Sequence, residues 1–162
     1  NNDEILNRVQ YMAKALDCKW IILDHLSILV SGQEGDDERK SIDVLMTKLR
    51  SLVEQTGVGL LLVSHLRRPS GDTGHENGRE VTLSHLRGSA SIAHLSDCVV
   101  ALERNQQSTD PILANTTVVR ILKNRYTGDT GIATNLLYDS KTGRMKEKEP
   151  LLDETINEFE VV

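Results

Sequence analysis

No GxxxxGKS or GxxxxGKT loop occurs anywhere in the 162 residues, so a self-contained phosphate cradle is not encoded here. Aromatic residues are scarce, at 3% of the chain, which leaves the core to Leu, Ile and Val. The two cysteines, Cys18 and Cys98, stand far apart without CxxC spacing; that excludes a zinc-knuckle pattern and reads as two reduced structural thiols. The histidines His25, His75, His85 and His94 have no metal-ligand spacing either. No apolar run approaches the length that spans a bilayer, and Asn1-Asn2-Asp3-Glu4 resembles no signal peptide, so the expected setting is cytoplasmic, with no membrane. The opening also lacks a methionine, and the chain reads as part of a longer protein. There is no internal repeat.

The length and the balance of 38% apolar to 27% charged residues describe one globular domain. A net charge of −5 does not point to nucleic acid by itself. Much of that charge, however, sits in Glu149, Asp153, Glu154, Glu158 and Glu160, a stretch with no basic residue. The body, residues 1–148, is then close to neutral, and residues 149–162 read as an acidic, disordered tail.

Two apolar runs, Trp20–Leu23 and Val58–Val63, each stop on a polar end: Asp24-His25 and Ser64-His65. Runs of this length bounded by turn signals read as strands buried on both faces, as in a parallel sheet. In open α/β sheets, ligands bind beyond the carboxyl ends of the strands. Ile5, Leu6, Val9, Met12, Ala13 and Leu16 recur at helical spacing and predict a helix over 3–17. Ser31–Asp37 is polar and glycine-bearing, too flexible for an element. Ile42, Leu45, Met46, Leu49, Leu52 and Val53 predict a second helix, stopped by Gly57. A crossover this short implies parallel pairing of the two strands. Leu66–Val81, with Pro69, Gly71, Gly74 and Gly78, reads as a long loop, functional or disordered, without a hydrophobic anchor. A helix over Ser84–Leu95 and a third strand over Cys98–Leu102 follow. Strands over 117–123, 132–138 and 144–146, joined by Gly- and Asp-bearing connectors, form an antiparallel meander on the sheet edge.

Asp24 ends the first strand, where a carboxylate can hold Mg²⁺ through a water beside a triphosphate, or simply cap a turn. His65 can contact a γ-phosphate or orient water, or bond the backbone at the core's edge. Arg67 and Arg68 open the long loop and Arg79 closes it; these are contacts for phosphates, or a solvated surface. Arg87-Gly88-Ser89 offers a guanidinium, a close-approaching backbone and a hydroxyl for one backbone phosphate, against the blander reading of a surface arginine. Lys123 and Arg125 flank Asn124 at a strand end and, by alternation, point the same way. Two cations there suit a triphosphate's developing charge, or discourage aggregation at an edge strand.

Taken together, Trp20-Ile-Ile-Leu-Asp24-His25, Leu61-Leu-Val-Ser64-His65-Leu-Arg67, Leu86-Arg87-Gly88-Ser89-Ala90, Ala101-Leu-Glu-Arg104-Asn-Gln-Gln107 and Ile121-Leu-Lys123-Asn-Arg125-Tyr-Thr-Gly128-Asp-Thr-Gly131 resemble the replicative primase-helicases of T-odd bacteriophages. More distantly they are similar to the mitochondrial helicase of the same superfamily and to bacterial replicative helicases. The likeness runs in order to about residue 146.

The resemblance implies an α/β, RecA-like ATPase core: a mostly parallel twisted sheet with flanking helices and an antiparallel C-terminal meander. It implies an NTP-dependent DNA helicase assembling as a hexamer or heptamer around single-stranded DNA, using Mg²⁺ and ATP or dTTP. On that template Asp24 matches the Walker B aspartate and His65 the γ-phosphate sensor. Arg125 matches an arginine finger acting on the neighbouring subunit's nucleotide, with Lys123 near it. Arg104 and Tyr138 fall where the nucleotide base is sandwiched, and Arg67, Arg87 and Gly88 fall in the family's DNA-contacting loops; Arg68, Arg79 and Ser89 join them as DNA-binding candidates on their own chemistry. The family's Walker A loop and catalytic glutamate precede residue 1, so this stretch alone is expected to be inactive. Neutral residues around Gly71 and Thr73 replace lysines of the family's central DNA loop. The acidic tail with Phe159 is similar to a tail that docks a replicative DNA polymerase. A non-catalytic DNA- or partner-binding module, and a recombinase-type ATPase, remain the alternative readings.

Overall fold

The computed structural model describes residues 2–26, 36–68 and 74–148. Helix α1 (Asn2–Lys14) carries Asp3 and Glu4 in its first turn, where the helix dipole favours acids. It turns Val9, with Leu6, Met12 and Ala13, onto the strands. Strand β1 (Trp20–Leu23) and strand β2 (Gly59–Leu62) pair in parallel, from Trp20 opposite Gly59 to Leu23 opposite Leu62. Between them runs helix α2 (Asp36–Thr56), whose stripe Ile42, Leu45, Met46, Leu49 and Leu52 is the centre of the core. Leu45 is fully buried, so truncating it to alanine is expected to cost about 2–5 kcal/mol. Gly57, at φ +69°, ends α2, and its N–H donates to the Val53 carbonyl at 2.8 Å.

The apolar runs predicted strands covered on both faces, and here the fold differs. Ile21 and Leu23 are buried under α1 and α2, whereas Trp20 and Ile22 are 75% and 70% exposed and Leu61 is half exposed. Among the described residues, helices cover one face only.

A second sheet holds β3 (Cys98–Arg104), β4 (Thr116–Asn124), β5 (Gly131–Asp139) and β6 (Arg144–Lys148) in that spatial order, each pair antiparallel. The expectation of a mostly parallel sheet is thus corrected: among the described residues parallel pairing is confined to β1 and β2, and β3 joins the meander. The connection from β3 to β4 is too short for a crossover helix and simply reverses the chain. It contains a short helix, α4 (Pro111–Ala114), opened by Asp110, whose carboxylate accepts from the Ile112 N–H at 2.8 Å.

The single helix expected over Ser84–Leu95 is two pieces, a 3₁₀ turn at Leu83–His85 and helix α3 (Ser91–Leu95). Gly88, at φ +108°, interrupts them with a conformation no helix contains. The long loop is also better anchored than predicted. Leu66 bridges to Leu86, Asn77 to Asn105, and Val81 is buried, its N–H donating to Glu103 Oε1 at 2.8 Å. Glu103 is itself buried and accepts from Arg120 Nε at 2.8 Å, so a charge pair ties the loop's exit to the second sheet. Most of the predicted flexible stretch Ser31–Asp37, the loop around Gly71 and Thr73, and the tail after 148 lie outside the described residues.

Candidate nucleotide and nucleic-acid site

The two strand tips lie side by side, as the sequence predicted. Beyond the last ladder pair the Val63 N–H donates to the Leu23 carbonyl at 3.0 Å, and the Leu26 N–H donates to the Val63 carbonyl at 2.9 Å. Asp24 and His25 therefore stand next to Ser64 and His65. The peptide between Asp24 and His25 is cis. The imidazoles of His25 and His65 meet with their centroids 3.9 Å apart, a contact the sequence reading missed because His25 was weighed only as a metal ligand.

Asp24 is exposed, and no hydrogen bond or ion pair among the described residues engages its carboxylate. That suits a metal such as Mg²⁺, which keeps most of its waters and takes one or two carboxylates together with substrate phosphates. Among the described residues no group of three or more His, Cys, Asp or Glu side chains converges to cage a metal without a phosphate.

Past His65 the chain borders an open hollow of about 740 Å³ lined by Ser64, His65, Arg67, Arg68, His75 and Arg87. Two backbone hydrogen bonds join the segments that line it: the Arg67 N–H donates to the His85 carbonyl at 2.9 Å, and the Arg87 N–H to the His65 carbonyl at 3.0 Å. Arg67, Arg68 and Arg87 are exposed, giving three cations around one concavity. His75 Nε2 donates to the Arg67 carbonyl at 3.2 Å, and its ring meets that of His85 edge-on. Burial, then the charges of His75, Arg79 and Arg67, hold the His85 imidazole below its ordinary pKa. Arg79 belongs to this electrostatic neighbourhood without lining the hollow.

Gly88 and Ser89 face inward. A Cβ on Gly88 would stand 2.5 Å from Ile42 Cδ1. Ser89 is buried; its hydroxyl donates to an Asp43 carboxylate oxygen and accepts from the Ser91 N–H at 3.2 Å. The bond from the Ser89 hydroxyl holds the Asp43 carboxyl below the usual carboxylate range. Of the triplet Arg87-Gly88-Ser89, only the arginine presents its side chain to solvent, and it also lies 3.9 Å from Glu38.

Lys123 and Arg125 both reach the turn that joins α3 to β3, though strand alternation is not the reason, since Arg125 lies past the end of β4. Lys123 Nζ donates to the carbonyls of Ala93, His94 and Ser96. Arg125 is mostly exposed, with Nη1 3.5 Å from Asp97 Oδ1. Neither Asp97 nor its second partner Arg50 carries a sequence signal, being 28 and 75 positions from Arg125.

Arg104 and Tyr138 meet at one turn. Arg104 pairs with Thr117 and Thr117 with Leu136, so Tyr138, two positions on, lies on the same face of the sheet as Arg104. Arg104 donates through Nε to the Ala114 carbonyl at 2.6 Å and through Nη2 to Asn115 Oδ1 at 3.1 Å, while the Tyr138 N–H donates to the Asn115 carbonyl at 2.9 Å. The guanidinium is held by its edge, which leaves its plane available for stacking.

Comparison with known proteins places these features. Residues 1–147 match the family model described as the DnaB-like helicase C terminal domain. The chain is 49% identical over 141 residues to a DNA helicase/primase of Enterobacteria phage T3, an alignment that covers 87% of this chain and 24% of that relative. It therefore spans about a quarter of the relative's length. The chain belongs to the DnaB-like helicase C-terminal domain family.

Proposed function

We propose that this chain is the C-terminal portion of a replicative DNA helicase that forms a hexameric or heptameric ring on single-stranded DNA and is driven by hydrolysis of ATP or dTTP. The observation that carries the reading is the juxtaposition at the strand tips: a carboxylate at Asp24 without a partner among the described residues, beside His65, next to a hollow ringed by Arg67, Arg68 and Arg87. Asp24 would hold Mg²⁺ through water, and that ion would neutralise charge on the transferred phosphoryl group. His65 would sense the γ-phosphate; it directly precedes the strand of residues that reaches Arg67, so a shift at its ring is felt in the basic hollow. Arg67, Arg68 and Arg87 would contact DNA phosphates, with Arg79 supporting their potential. Arg104 and Tyr138 would bracket the base of the nucleotide, and Arg125, mostly exposed, would serve the neighbouring subunit's triphosphate. The phosphate loop and the catalytic glutamate would come from upstream in the same polypeptide. The acidic residues from Glu149 onward would dock a replicative DNA polymerase, in the cytoplasm of the host cell.

The test is hydrolysis of ATP and dTTP, with and without single-stranded DNA, by a longer polypeptide carrying this chain and its upstream region. DNA-stimulated turnover is expected there and none from the 162 residues alone. A longer polypeptide whose turnover ignores DNA, or turnover by the short chain that Asp24→Asn removes, would overturn the reading.

A further inference from the structure

Asp97, in the turn between α3 and β3, is gripped on one side and grips on the other. Its Oδ2 accepts from Arg50 Nη1 at 2.7 Å, and Arg50 Nε donates in turn to Glu54 Oε1 at 2.7 Å. The Arg50 guanidinium is thus fixed between two carboxylates on the side of α2, with 26% of its side chain exposed. On the other side, the Asp97 carbonyl accepts from the Arg125 N–H at 2.8 Å, and its Oδ1 lies 3.5 Å from Arg125 Nη1. Arg125, by contrast, is 61% exposed.

We propose that Asp97 is a positioning residue for Arg125, setting the direction of its guanidinium at the end of β4, and that Arg50 fixes the Asp97 carboxylate from α2. This inference rests on the reading of Arg125 as the arginine that serves a neighbouring subunit's triphosphate. An exposed arginine has many rotamers, and one that must meet a phosphoryl group across an interface works only from a few of them. The hydrogen bond from the Arg125 N–H to the Asp97 carbonyl fixes the backbone, and the carboxylate restricts where Nη1 can go. The contact is long and exposed, hence weak, so it orients the guanidinium without withholding it from a phosphate. The Arg50 contact is short and shielded, so Asp97 keeps its place when Arg125 lets go. The hydrogen bond from Arg50, followed by the charges of Arg50 and Arg125, holds the Asp97 carboxyl below the usual carboxylate range.

The experiment is a double-mutant cycle on the longer polypeptide, reading DNA-stimulated ATP hydrolysis for Asp97→Asn, Arg125→Ala and both together. Asp97→Asn is expected to lower kcat by about 10- to 100-fold while leaving KM within about twofold, the signature of a misplaced group that acts in the transition state. In the Arg125→Ala background the same change should cost nothing further. Asp97→Glu should recover part of kcat, because a carboxylate still reaches the arginine. Should Asp97→Asn fold poorly, Arg50→Gln frees the carboxylate from α2 and should give a smaller kcat loss that also vanishes without Arg125. Losses that add in the double variants, or a raised KM with kcat intact, overturn the positioning role while leaving Arg125 its own. An Arg125→Ala protein as active as the unmodified one overturns the arginine reading and the inference with it.

Discussion

Lys123 ends helix α3 from a distance of about thirty residues: its ammonium donates to Ala93 O at 2.7 Å, His94 O at 3.1 Å and Ser96 O at 2.8 Å. The last carbonyls of a helix have no partners within it, and a cation placed on them satisfies both their lone pairs and the helix dipole. All three ammonium donors are engaged, so Lys123 is a structural clasp before it is a phosphate ligand. Lys123→Met is expected to destabilise the fold by about 2–3 kcal/mol, the worth of charge-assisted hydrogen bonds in a partly buried place. Urea unfolding measures it. An unmoved midpoint together with weakened nucleotide binding would return Lys123 to the nucleotide.

Asp24 presents the opposite case, an exposed carboxylate without a hydrogen bond or ion pair among the described residues. Asp24→Asn is therefore expected to leave the unfolding free energy within about 0.5 kcal/mol of the original. In the longer polypeptide the same change should abolish Mg²⁺-dependent hydrolysis. Calorimetry and a magnesium titration of turnover check the two halves. A large loss of stability would mean that the carboxylate holds the strand tips together.

The parts of the site that lay in the local sequence were legible, and the parts made across the chain were not. Two apolar runs ending on Asp24 and His65 announced a parallel pair with reactive tips because strand length and polarity are local properties. The meander was legible from its Gly- and Asp-bearing turns for the same reason. Gly88 escaped: a glycine inside an apolar helical pattern does not reveal that its φ is positive until Ile42, from α2, closes over it. Ser89 was read as a phosphate ligand, whereas its hydroxyl turns to Asp43, forty-six positions away. Arg50, Asp97 and Arg125 meet only because α2, the α3–β3 turn and the end of β4 converge, and nothing in the spacing of those residues encodes it. The α4 turn was within reach, since Asp110-Pro111 is a cap followed by a proline at the first helical position.

Acid should weaken the fold in two stages of the same sign. His85 is held below its ordinary pKa by burial first, so the unfolded chain binds a proton that the folded one resists, and stability declines as the pH drops through about 6.5. Asp97 and Asp43 are held low by hydrogen bonds from Arg50 and from Ser89; what they contribute is complete above about pH 4 to 5 and is lost as the pH falls through their folded values. Urea midpoints recorded from pH 8 to pH 3 should show both declines. His85→Gln should remove the upper one and Asp97→Asn should reduce the lower one. A midpoint that rises on acidification would contradict both assignments.

Gly88 joins the exposed Arg87 to the buried Ser89, and two independent constraints meet at it. Its φ of +108° is a conformation that side chains rarely adopt, and the position a Cβ would take is 2.5 Å from Ile42 Cδ1. Ile42 is buried in the stripe of α2 that carries the core, so it can yield only by moving its neighbours. Gly88→Ala is thus expected to cost about 2–4 kcal/mol, combining backbone strain with overpacking. Ile42→Val shortens the very branch that would collide, and in that background the alanine should cost less by about 1 kcal/mol, although the valine carries its own cavity penalty. Unfolding of the two single variants and the double variant separates the terms. If the alanine costs the same with isoleucine or valine at position 42, backbone conformation alone demands glycine there, and the packing contact is incidental.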